Sequence, residues 1–183
     1  MPEFQLDTSG GVFTPGSALF DQTTRHALKT WADLDAFTQG YIEALFFTEG
    51  DELTTAKRER ETGAPEPEDE SDESRAAFRA LYTPGFSDLA PEALARIVAD
   101  CAAFKASDAW TLAEAAESAG DPIPDDTQAG RDFWYTRNGH GCGFWGGDWP
   151  EPYATRLTEA AEACGPVDAY LGDDGRVHLT GEA

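Results

Sequence analysis

The stretch RDFWYTRNGHGCGFWGGDW, residues 131–149, holds the side chains of this sequence best suited to chemistry. Asp132, Arg137, His140 and Cys142 stand close together along the chain, with Trp134 and Trp145 among them. A guanidinium and an imidazole on neighbouring positions can hold a carboxylate or phosphate through charge-assisted hydrogen bonds. A Cys142–His140 nucleophile pair, with Asp132 nearby, is the catalytic option, but it needs an ordered base and an anion-stabilising site, and neither shows in the sequence. A metal site from His140, Cys142 and His178 reaches at most three ligands and lacks paired CxxC or HxxxH spacing. No catalytic residue, metal or cofactor is therefore assigned. The candidates of this stretch are binding residues: Asp132, Trp134, Arg137, His140 and Trp145. The plainer use of Arg137 is an ion pair with Asp132 or another local acid. The GDDG of residues 172–175 lacks the alternating acids of a calcium loop and reads as a turn.

The carboxylates form a second candidate surface. Glu114, Glu117 and Asp121 fall at i, i+3 and i+7, and Glu151, Glu159 and Glu162 at i, i+8 and i+11, so each set is expected along one side of a helix. Such rows can imitate the phosphates of a nucleic acid in a basic groove. The plainer account of the same acidity is solubility or salt adaptation.

Composition sets the frame for both surfaces. The chain has 183 residues, 40% of them hydrophobic, enough for one ordinary domain core. With 35 acidic and 13 basic residues the formal net charge is -22, which disfavours direct binding to nucleic acid or to anionic membranes. No apolar run approaches the length of a membrane span, and the N-terminal residues lack the pattern of a secretory signal. The three cysteines, Cys101, Cys142 and Cys164, are odd in number and widely spaced, which fits a reducing cytoplasm. Cys101 and Cys164 are expected on helical apolar faces.

The elements that must position these residues are mostly helical. Thr30 and Asp33, in capping-box spacing, open a helix whose inner stripe is Leu34, Phe37, Tyr41 and Leu45. The following stretch, residues 49–76, is acidic and poor in bulky apolar side chains, and is expected as a disordered loop. PEALARIVADCAAF starts on Pro91 and repeats Leu94, Ile97, Val98, Cys101 and Phe104 at helical steps. SDAWTLAEAAESAG is capped near Ser107 and stopped at Gly120. A last helix is signalled from Asp148 to Gly165, with Tyr153, Leu157, Ala160 and Cys164 facing inward. VDAYLGDDGRVHL alternates in strand fashion and turns at Asp173, Asp174 and Gly175, so residues 167–179 read as a hairpin.

Asn138-Gly139 is the preferred pair of a two-residue type I′ turn, so residues 132–145 are expected as a hairpin too. That register places Trp134 beside Gly143 on one face, and Arg137 beside His140 with Cys142 on the other. The fold class expected is α+β: a single domain of about four helices packed with a small antiparallel sheet from the two hairpins, plus the acidic loop.

AGRDFWYTRNGHGCGFWGGDW, followed by RLTEAAEACGPVDAYLGDDGRVHL, resembles a family of small bacteriophage and plasmid proteins with the pattern AGxDFWxTRNGHGxGFW. The resemblance spans about residues 129–179, with weaker similarity in PEALARIVADCAAFKA and TQGYIEALFF. The chain departs from the pattern at Arg131, Tyr135, Cys142 and Gly146-Gly147. The resemblance implies a mobile-element protein acting in a bacterial cytoplasm and supplies no catalytic residues. The expected function is non-enzymatic: an accessory protein that binds a host protein with a basic surface, in its sharpest form as an acidic nucleic-acid mimic. The alternative is a small enzyme or ligand-binding domain that uses residues 131–149.

Overall fold

The computed structural model describes residues 30–63 and 80–180; residues 64–76 of the expected acidic loop lie outside it. A 3₁₀ turn at Trp31–Asp33 leads into α1 (Ala36–Thr62), and a second at Phe86–Asp88 leads into α2 (Pro91–Lys105). Then come α3 (Asp108–Ala119), α4 (Asp126–Arg137), α5 (Tyr153–Ala163), β1 (Ala169–Leu171) and β2 (Val177–Leu179). The described chain is thus mostly helical with one two-stranded antiparallel sheet, in which Tyr170 lies opposite His178. Leu89 extends that sheet by a single parallel bridge to Val177. Among the described residues no helix is long and apolar enough to cross a membrane.

The start of α1 differs in detail from the sequence expectation. The Thr30 amide and hydroxyl donate to the Asp33 carboxylate at 2.9 and 2.7 Å, which closes the first 3₁₀ turn. Helix α1 itself begins later, where Asp35 accepts from the Thr38 amide at 2.8 Å. Its far end corrects a larger expectation, because residues 49–62 continue the helix instead of forming a loop, and Gly63 ends it at φ 67°. The physical reason lies in where the side chains go. Leu53, Thr54 and Arg58 are buried. Lys57 pairs with Asp88 at 2.7 Å, and the Arg60 guanidinium donates to the carbonyls of Gly172 and Asp173. A run that looks solvated by composition is ordered by tertiary contacts made through its cations.

Helices α2 and α3 follow their signals. Pro91 occupies the first turn of α2, which buries Ala93, Leu94, Ile97, Cys101 and Phe104. Ser107 caps α3 by accepting from the Trp110 amide at 3.2 Å, and Gly120 stops it at φ 96°. Helix α5 starts at Tyr153, not at Asp148, since Pro150 and Pro152 bias the residues before them away from helical backbone. It buries Ala154, Leu157 and Ala161, with Tyr153 and Ala160 partly covered, whereas Cys164 is exposed and not part of the core. The C-terminal hairpin forms as expected.

The stretch at residues 132–145 is not a hairpin. Asp125 caps α4 by accepting from the Gln128 amide at 2.8 Å, and the helix carries Asp132, Phe133, Trp134, Thr136 and Arg137 into the interior. Trp134 and Arg137, three residues apart, therefore share the buried part of a helix instead of opposing faces of a strand. What lets α4 enter the core is its contact with α1. A β-carbon on Gly40 would lie 2.0 Å from the Thr127 carbonyl oxygen, and one on Gly130 only 1.9 Å from that of Phe37. The two backbones touch where neither has a side chain. Around that crossing the Phe104 ring stacks on Phe133 with centroids 4.2 Å apart and on Phe144 at 5.6 Å. Phe37 and Trp110 meet edge to face at 5.1 Å, and Trp149 does the same with Phe144 at 5.2 Å.

Candidate functional site

The buried polar residues of α4 each have a defined structural partner. The Trp134 indole N–H donates to the Thr48 hydroxyl of α1 at 2.9 Å. Asp132 accepts from the Trp149 indole N–H at 2.7 Å and from the Gln128 side-chain amide at 3.0 Å. Burial pushes the Asp132 carboxyl above its ordinary range, and these two hydrogen bonds oppose that rise without cancelling it. Arg137 donates to Asp100 of α2 at 2.9 Å and to the Tyr41 hydroxyl at 3.0 Å. It also reaches the carbonyls of Gly165 at 2.9 Å and Cys164 at 3.2 Å, which close the C-terminal end of α5. Its guanidinium lies 5.3 Å from the Phe133 ring centroid. Arg137 thus ties α1, α2 and α5 together, and the acid it pairs with is Asp100, not Asp132.

The Asn138-Gly139 pair terminates α4. The Gly139 amide donates to the Thr136 carbonyl at 3.2 Å and the His140 amide to that of Tyr135 at 2.9 Å, with Gly139 at φ 68°. This is a Schellman cap, which asks for the same left-handed residue as a type I′ turn. Asn138 also accepts from the Val167 amide at 2.8 Å, fixing the approach to β1. The chain then turns back along α4, where the Phe144 amide donates to the Thr136 hydroxyl at 3.0 Å. Gly143 is needed there, since a β-carbon would sit 2.3 Å from that hydroxyl.

Of the five candidates in this stretch, His140 and Trp145 reach the surface. His140 packs beside Trp134 and Tyr135, with its Nε2 buried and 3.9 Å from a Glu49 carboxylate oxygen. Trp145 is 53% exposed between the buried Phe144 and Trp149. Cys142 is exposed, and burial, with the Asp132 charge adding to it, raises its thiol above the usual range, away from a reactive thiolate. Among the described residues no group of three or more His, Cys, Asp and Glu is placed to hold a metal.

The acidic candidates divide as well. Glu114 and Glu117 are exposed on α3, and Glu159 and Glu162 on α5, two helices that pack against each other. Asp121 lies beyond the Gly120 cap, outside the helix, and accepts from the Tyr153 hydroxyl at 3.2 Å. Glu151 precedes α5 and accepts from Thr155 at 3.0 Å. The helical sets are therefore pairs, not triads.

Sequence reasoning passed over one cluster. His178 of β2 has Nε2 at 3.0 Å from Asp174 and Nδ1 at 3.4 Å from Glu92 at the start of α2. The Tyr170 ring is stacked on the imidazole at 5.6 Å. The hydrogen bond to His178 holds the Asp174 carboxyl below its ordinary value. Beside this ring pair lies an open groove of about 570 Å³ lined by Tyr170, Leu171, Gly172, Asp173, Asp174 and His178. The available signal was the alternation that sets Tyr170 and His178 on one face of the hairpin.

Compared with protein-family models, with curated proteins and with solved structures, the chain matches none.

Proposed function

We propose that this is a non-enzymatic accessory protein that binds a partner with a basic surface, through carboxylates presented by α3 and α5. The observation that carries this reading is a contrast in how the two candidate surfaces are used. Asp132, Trp134 and Arg137 are buried and committed to contacts within the fold: Asp132 to the segment before α5, Trp134 to α1, and Arg137 to α1, α2 and the end of α5. Glu114, Glu117, Glu159 and Glu162 are exposed, and none of them is in an ion pair with a described residue. With a net charge of -22 the molecule's field attracts a basic surface before contact is made. The resemblance to mobile-element proteins makes a host protein in the bacterial cytoplasm the natural partner. Mimicry of nucleic acid is the form of binding that exposed carboxylate pairs on two packed helices would serve.

The test uses the full chain and the variant E114Q/E117Q/E159Q/E162Q as paired baits in bacterial lysate at low and high salt. Expected is a basic protein held by the native chain at low salt, released at high salt and absent from the variant. Equal capture by both baits, or capture by neither, overturns the reading. One observation favours the alternative, a ligand site in residues 131–149: the buried Nε2 of His140 makes no hydrogen bond, with a Glu49 carboxylate oxygen 3.9 Å away.

A further inference from the structure

We infer that the groove on the C-terminal hairpin is a seat for a guanidinium group, and that it receives an arginine side chain of the basic partner. The inference rests on the proposed function for the partner and on the geometry of the groove for the site. An arginine requires a flat π surface to stack on and carboxylate oxygens at its edge that no other cation occupies.

The groove offers each of these. Tyr170 is 46% exposed, a large exposure for an aromatic ring on a sheet, and its cross-strand neighbour His178 stacks on it with centroids 5.6 Å apart and planes 26° off parallel. The stack depends on Gly172, because a β-carbon there would meet the imidazole at 2.5 Å. At the edge, Asp173 is exposed, and its carboxylate has no hydrogen bond or ion pair with a described residue. Asp174 uses Oδ1 for His178 and for the Arg176 amide, which leaves Oδ2 open. Arg60, beneath the turn, donates to the backbone carbonyls of Gly172 and Asp173 and to neither side-chain carboxylate, so both stay open to an incoming group. The same contacts fix the turn in advance, so little ordering is required when a ligand arrives. A volume of about 570 Å³ accommodates one arginine side chain and part of its backbone. Arginine is favoured over lysine because stacking on Tyr170 and two-point contact with carboxylates both use the planar fork, which an ammonium lacks.

The experiment is a titration of the isotopically labelled full chain with N-acetyl-arginine methylamide, followed by amide and aromatic NMR shifts. Blocked lysine and blocked citrulline, the uncharged isostere, serve as comparison probes. Expected are saturable shifts at Tyr170, Gly172, Asp173 and His178, weaker ones with blocked lysine, and none with blocked citrulline. Asp173→Asn, which breaks no contact within the fold, should weaken binding about fivefold, and Tyr170→Leu by a similar factor. Equal binding to citrulline, shifts spread over the whole acidic surface without saturation, or unchanged affinity in Asp173→Asn would overturn the inference. The two proposals fail separately. Loss of lysate capture in the α3/α5 variant alongside an arginine-blind groove discards the groove alone, while saturable arginine binding without any captured partner discards the proposed function.

Discussion

Arg137 shows how much one side chain carries here. Its guanidinium has four partners: Asp100, Tyr41 and two carbonyls at the end of α5. Removing it leaves two carbonyls and the Tyr41 hydroxyl without their donor in a part-buried setting, and leaves Asp100 to its ion pair with Arg96 at 3.8 Å. Arg137→Ala is therefore expected to cost about 3–5 kcal/mol in chemical denaturation, and Arg137→Lys most of that, since an ammonium cannot span the same set. Asp132 has the opposite character, a carboxyl whose ionisation is opposed by burial. A folded-state pKa raised above the unfolded one means the fold favours the protonated form. Its contribution is fully present below the ordinary carboxylate range and is lost as pH rises through the raised value. Asp132→Asn keeps an acceptor for Trp149 and has no charge to bury. The melting temperature of the variant relative to the native chain should thus improve as pH rises from about 4 toward neutrality. A difference that is flat with pH would show that Asp132 is solvated in the fold.

Between elements, the decisive contact is the crossing of α1 and α4 at Gly40 and Gly130. Gly40→Ala and Gly130→Ala each force a methyl group into a carbonyl oxygen, and each should destabilise by more than about 2 kcal/mol in thermal or denaturant unfolding, against a gain of about 0.5–1 kcal/mol for Gly50→Ala, which meets open space in α1. Those two glycines also explain what the sequence conceals. Helices α2 and α3 and the C-terminal hairpin were legible because apolar spacing, caps and turn residues agreed with one another at each. Residues 131–149 were misread because two of their signals have two meanings. Asn138-Gly139 satisfies a hairpin turn and a Schellman cap equally, and DFWYT is rich in strand formers that tertiary packing overrides. A helix buried on several sides shows no clean amphipathic stripe, so periodicity could not separate it from a strand. The end of α1 was lost for another reason: the order of residues 49–62 comes from partners far along the chain, Asp88 and the Gly172–Asp173 turn, which no local pattern reports. Of the candidate site, the exposed carboxylates of α3 and α5 were readable from helical spacing. The His178 cluster was not, because Glu92 reaches it from a different element.

At the scale of the whole molecule the dominant quantity is charge. A formal net charge of -22 on 183 residues makes the folded state repel itself, and the repulsion is spread over exposed groups that added salt screens. Stability should therefore rise with sodium chloride between about 10 and 200 mM, as the Debye length shortens from about 30 Å to below 10 Å. The exposed rows on α3 and α5 should contribute to this strain. E114Q/E117Q/E159Q/E162Q removes four negative charges without removing a hydrogen bond within the described fold, so it should melt at or above the native temperature at low salt and converge with the native chain at high salt. The same substitutions are expected to abolish binding to a basic partner, and the two effects have opposite signs. A surface whose neutralisation stabilises the fold while destroying association is one held acidic for its partner. If the variant instead melts lower at every salt concentration, these glutamates have structural work in the fold, and the case for a binding role of α3 and α5 falls with that result.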